Sequence, residues 1–81
     1  MITKTTILKI GDRLSAQLNS GIILKFYVEK HNGSTNGLLI MDLHSRTVVG
    51  AIFERPHIIK NAIAKHPNWD EIIKNKSLEW D

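Results

Sequence analysis

The chain has 81 residues, of which 42% are hydrophobic and 23% charged; this is the composition of one small globular domain, and it excludes both a multidomain architecture and a disordered chain. It contains no cysteine, which rules out a disulfide framework, thiolate metal ligation and a cysteine nucleophile, and leaves packing, a partner or self-association to hold a small core. The formal net charge is +3, a modest excess compatible with a nucleic-acid or acidic-protein partner.

That excess is uneven. Residues 1–56 carry seven Lys or Arg against four acids, whereas residues 57–81 are balanced. The longest apolar runs fall far short of the ~20 residues of a membrane helix. The opening residues 1–6 lack the apolar region of a secretory signal, so a cytoplasmic protein with no membrane partner is expected.

In chain order, Ile2 to Ile10 are dense in β-branched residues and read as a first strand closed by Gly11 and Asp12. Leu14, Ala16 and Leu18 then alternate with polar neighbours as a half-buried strand does, Asn19, Ser20 and Gly21 punctuate its end, and this strand pairs with the first in a first hairpin. Ile22, Leu24, Phe26 and Val28 alternate in the same way, with a short helix as the alternative over this stretch. Residues 31–37 contain no apolar side chain and read as a solvent-exposed loop. Residues 38–43 and 47–53 are apolar strands joined by His44, Ser45 and Arg46, a second hairpin. From His57 the period becomes helical, through Ile59, Ala62, Ile63 and His66, and Pro67 ends that helix. Asn68 and Glu71 are spaced as a capping box for a second helix whose face is Trp69, Ile72, Ile73 and Lys76, and Leu78 and Trp80 follow in a short tail.

The reading is therefore one α+β domain over residues 1–81: a small antiparallel β-sheet or barrel of four to five strands, followed by one or two C-terminal helices. Residues 1–56 form a strand-rich basic layer and residues 57–81 the helices and tail.

The acids and histidines do not assemble a catalytic set. Asp42 and His44 are two apart on one predicted strand and offer at most two ligands, and His57 and His66 are too far apart for a one-turn zinc pair. Gly33 and Gly37 lack the Lys and Ser or Thr of a phosphate loop. A nonenzymatic protein without cofactor or metal is expected.

The stretch TTILKIGDRLSAQLNSGI, residues 5–22, resembles the first motif of the swapped-hairpin antitoxin and regulator family typified by MazE and AbrB. Lys9, Ile10 and Gly11 match its strand-ending element, and Leu14, Ala16 or Ser15, Leu18 and Ile22 fall at its apolar positions. The hairpin LLIMDLHSRTVVGAIFERP resembles the family's closing strand pair, and NWDEIIKNKSLEWD is similar to toxin-binding tails. The sequence departs from the family pattern at Asp12 and Arg13, at Gln17 and at Asn19. A second, weaker likeness is to the ribonuclease H-like core of transposases, where MDLHSRTVVGA resembles a hairpin strand pair; the remaining catalytic acids of that family are not in this chain, so it implies a noncatalytic hairpin-plus-helix unit.

The first resemblance implies a homodimeric antitoxin-like or transcription-regulator-like binding protein. Its DNA contacts would be Lys9, Arg13, Lys25 and Arg46, and its protein partner, a toxin or host effector, would be held by Trp69, Ile73, Leu78 and Trp80. Tryptophans are favoured interface anchors, and phosphate contacts from Lys and Arg give salt-sensitive binding. The alternative is a small phage or mobile-element inhibitor, of the anti-CRISPR or anti-defence type, that binds and blocks a host nuclease or other host protein through the exposed loop over residues 31–37 and the basic hairpin.

Overall fold

Two glycines with positive φ shape the start of the sheet. Gly11, at φ +94°, sits in a turn in which the Asp12 N–H donates to the Lys9 carbonyl and the Lys9 N–H donates to Asp12 Oδ2 at 2.9 Å. The Gly11 N–H and the Asp12 carbonyl both bond to Val28, so two residues oppose one and the strand kinks as it enters the sheet. Gly21, at φ +92°, closes the next turn, where its N–H donates to the Leu18 carbonyl and the Leu18 N–H donates to the Ile22 carbonyl. A three-residue connection with its last residue left-handed is one of the common hairpin solutions.

A computed structural model describes residues 1–81. Its strands are β1 (Arg13–Gln17), β2 (Ile23–Lys30), β3 (Leu38–Asp42), β4 (Val48–Ile52), β5 (Ile63–Ala64) and β6 (Glu79–Trp80), with one helix, α1 (Pro67–Asn75), between the last two. All six strands form one antiparallel sheet in the order β5-β4-β3-β2-β1-β6. The first four follow one another as a meander; β5 and β6 are added at opposite edges, and α1 packs against β4 and β5 on its way between them.

The core lies on one face of this sheet. Leu14, Ala16, Phe26, Val28, Leu38, Ile40 and Ile52 are buried at alternate positions of β1–β4. Onto them pack Ile2 and Leu8 from the N-terminal segment, Ile59 from a short 3-10 turn, Trp69 and Ile72 from α1, and Leu78. The helix begins at Pro67, with the His66 Nδ1 accepting the Asn68 N–H at 3.1 Å as the cap. It ends at Lys76 in the left-handed conformation, with the Lys76 and Ser77 N–H groups donating to the Ile72 and Ile73 carbonyls. The tip of the β1–β2 hairpin is tied to the helix: Glu71 Oε2 accepts the Asn19 N–H, and Asn75 donates to Asn19 Oδ1, both at 2.7 Å.

The α+β class and the antiparallel sheet agree with the sequence reading, with three corrections. The sheet has six strands and is open, not a closed barrel of four or five. Residues 2–10 are not a strand and form no hairpin with residues 14–18; they make one isolated bridge, Ile7 to Ile58, and the first hairpin is β1 with β2. Residues 57–66 are not a helix, because the chain takes a 3-10 turn over Ile59–Asn61 and then pairs with β4 through Ile63 and Ala64. The stretch with strand and helix as alternatives, Ile22 to Glu29, is strand from Ile23 onward, in β2, and the tail becomes the edge strand β6.

Candidate functional site

The helix and the N-terminal segment cover one face of the sheet, and the strand alternation fixes what the other presents. On β1 it carries Arg13, Ser15 and Gln17; on β2, Ile23, Lys25, Tyr27 and Glu29; on β3, Leu39 and Met41; on β4 and β5, the paired Ala51 and Ile63. The register lines these up across the strands: Arg13 opposes Tyr27, which opposes Met41, while Glu29 opposes Leu39, which opposes Ala51.

This face has two halves. Toward β5 it is apolar, with Tyr27, Leu39, Met41, Ala51 and Ile63 side by side. Met41 and Ala51 are buried yet belong to no part of the main core cluster, so they form a floor between flanking side chains. Ile63 is 50% exposed and Ile23, at the end of β2, 62%. Toward β6 the face is charged. The Arg13 guanidinium lies 5.7 Å from the centre of the Tyr27 ring, and Lys25 is paired with Asp81. The Asp81 N–H donates to the Arg13 carbonyl, which holds the C-terminal segment against β1. Two cations, Arg13 and Lys25, therefore stand with two carboxylates, Glu29 and Asp81.

Of the residues expected to touch DNA, Arg13 and Lys25 come together on this face. Lys9 and Arg46 lie in turns at opposite ends of the sheet, Arg46 with a left-handed φ of 59° in the β3–β4 connection. Of the residues expected to hold a protein partner, Trp69 and Leu78 are 3% and 4% exposed and pack in the core of this chain. Ile73 and Trp80 stay accessible, Trp80 paired with Leu14 in the edge strand. Sequence reasoning missed Tyr27, Leu39 and Ile63 as surface features, although the even alternation of β2 carried the signal for Tyr27.

Several of the polar side chains weighed for chemistry bond to backbone groups. Asp42 Oδ1 accepts the His44 and Ser45 N–H groups, both at 2.9 Å, and so builds the β3–β4 turn. Asp12 is held by Lys9, His66 caps α1, and His57 Nε2 bonds to the Asn36 carbonyl oxygen. No group of three or more His, Asp or Glu side chains is placed to hold a metal ion, and no helix is long and apolar enough to cross a membrane.

Compared with protein-family models, with curated proteins and with solved structures, the chain finds no match.

Proposed function

We propose that this chain is a noncatalytic binding protein that docks a protein partner on the uncovered face of its sheet, in the manner of a small inhibitor that blocks a host protein by covering its surface. The observation that carries the reading is the apolar half of that face, with Tyr27, Leu39 and Ile63 standing beside a charged half that holds Arg13 and Lys25. An apolar centre with an aromatic and an Arg at its margin is the anatomy of a protein interface. The short edge strands β5 and β6 leave little room for a partner to add a strand, which directs docking to the face.

A second reading, an antitoxin-like or regulator-like protein that binds DNA, rests on Arg13, Tyr27 and Lys25 sharing one face, a cation and ring arrangement suited to a phosphate and a base. It is the weaker one, because Glu29 and Asp81 offset those cations and Asp81 holds Lys25. A second copy of the chain on the same face would give the homodimer.

Native mass spectrometry of the tagged protein recovered from its own source, with and without nuclease, separates these readings. The expected result is a nuclease-resistant complex with a different protein that the folded double variant Ile63→Lys/Tyr27→Ala loses and Trp80→Ala keeps. A nuclease-sensitive complex lost in Arg13→Ala/Lys25→Ala would overturn the docking proposal in favour of DNA binding.

A further inference from the structure

On the other side of the sheet, the N-terminal segment and the C-terminal end of α1 do not close on each other. A cavity of about 460 Å³ opens between them, a size within the range of small-molecule sites. Its walls are apolar: Ile2 from the N-terminal segment, Ile59 from the 3-10 turn, Ile72 and Ile73 from the helix, and Leu78 beyond it. Three of these, Ile2, Ile59 and Ile72, are core residues that expose little or nothing to solvent, so they close the inner end of the cavity.

Three charged residues line the same cavity. Lys4 comes from the N-terminal side, and Lys76 and Glu79 from the helix side. With the α-amino group of Met1, which also lines the cavity, three ammonium groups stand against one carboxylate, so the lining is net positive. The negative pole of α1 also ends here, but the Ile72 and Ile73 carbonyls are occupied by the Lys76 and Ser77 N–H groups. Lys76 holds φ 53° and ψ 41°, a left-handed position that glycine fills without strain. A lysine there costs backbone energy and sets an ammonium group beside an apolar cavity.

We propose that this cavity binds a single-chain alkyl carboxylate, a fatty acid of medium length, with its chain along Ile2, Ile59 and Ile73 and its headgroup between Lys4 and Lys76. The apolar walls match the chain, and the net positive lining matches an anionic headgroup. A charge-assisted contact fixes the headgroup more strongly than a neutral one. The site shares no residue with the docking face and stands whether or not that face takes a partner.

The test is calorimetric titration of the full chain with decanoate below its micellar range, with decanol as the uncharged probe. Decanoate should bind saturably at one site and decanol about tenfold more weakly. Lys76→Gly should lower decanoate affinity about tenfold while melting at or above the unsubstituted chain, since glycine suits the left-handed cap. Ile73→Glu, at a position 37% exposed, should abolish binding with the fold intact by circular dichroism. Absence of saturable binding, equal affinity for decanol, or an unchanged affinity in Lys76→Gly would each overturn the proposal.

Discussion

The indole of Trp69 sits over the backbone of Gly50: a Cβ placed on that glycine would lie 3.6 Å from Trp69 Cδ2 and Cε2, and 3.6 Å from Ile40 Cδ1. The helix is thus seated on a strand position that has no side chain, and the largest residue of the core fills the space this leaves. One added methyl group makes ordinary contact there, whereas a branched side chain cannot fit without moving the helix. Gly50→Ala is therefore expected to change stability by less than about 1 kcal/mol, and Gly50→Val to cost about 1–3 kcal/mol through overpacking. Urea denaturation followed by tryptophan fluorescence measures both, and equal losses for the two would contradict the seating of the helix on Gly50.

Gly11 has open space around it, so its need for glycine is purely conformational. Gly11→Ala should destabilise by about 1–2 kcal/mol, and Gly11→Asn by less, since asparagine tolerates the left-handed region. The same ranking is expected at Gly21, which is equally free of neighbours. Denaturation midpoints that do not rank glycine, asparagine and alanine in that order would argue against the two turn assignments.

Ser77 Oγ is buried and has no hydrogen-bond partner. Removing a hydroxyl that is desolvated and unpaired relieves a penalty, so Ser77→Ala should stabilise the chain by about 1 kcal/mol. A lower melting temperature for this variant would show that the hydroxyl does find a partner.

The hairpin tip at Asn19 hangs on two groups of α1, Glu71 and Asn75. Glu71→Ala should leave the helix formed but cost about 1 kcal/mol, and hydrogen exchange at the Asn19 amide should accelerate. Unchanged exchange at Asn19 would mean that the turn is held by its own backbone bonds alone.

The second hairpin, the polar loop over residues 31–37 and the existence of a helix after Pro67 were legible because strict alternation and loop composition each have one dominant solution; the start of that helix was not, since Asn68 and Glu71 lie inside it and His66 is its cap. The N-terminal segment misled because its threonines bond to one another and to nearby backbone. The Thr3 N–H donates to Thr6 Oγ1, and the Thr6 N–H donates to the Thr3 carbonyl, which turns a β-branched run away from a ladder. Residues 59–66 misled because Ile59, Ala62 and Ile63 fall at helical spacing, but Ile59 is drawn into the core and Ile63 is paired with Ala51 at the sheet edge. Tertiary pairing outweighed a weak local preference in a segment rich in β-branched residues. The candidate face was only half visible: alternation placed Tyr27 opposite the core, but nothing local could bring Ile63 beside Ala51. The cavity was out of reach, since its walls come from three stretches far apart in the chain, residues 1–4, Ile59 and residues 72–79.

The placement of β6 beside β1 sets the order in which this fold can assemble. The meander from β1 to β4 is made of neighbours in the chain and can form by short loop closures, whereas the Leu14 to Trp80 pairing joins distant stretches and has to wait for them. Helix α1 then works as a strap drawn across the finished sheet from one edge to the other. Its fastening at β6 becomes the last event of folding and the first of unfolding, so substitutions at Trp80 should speed unfolding and leave the folding rate nearly untouched.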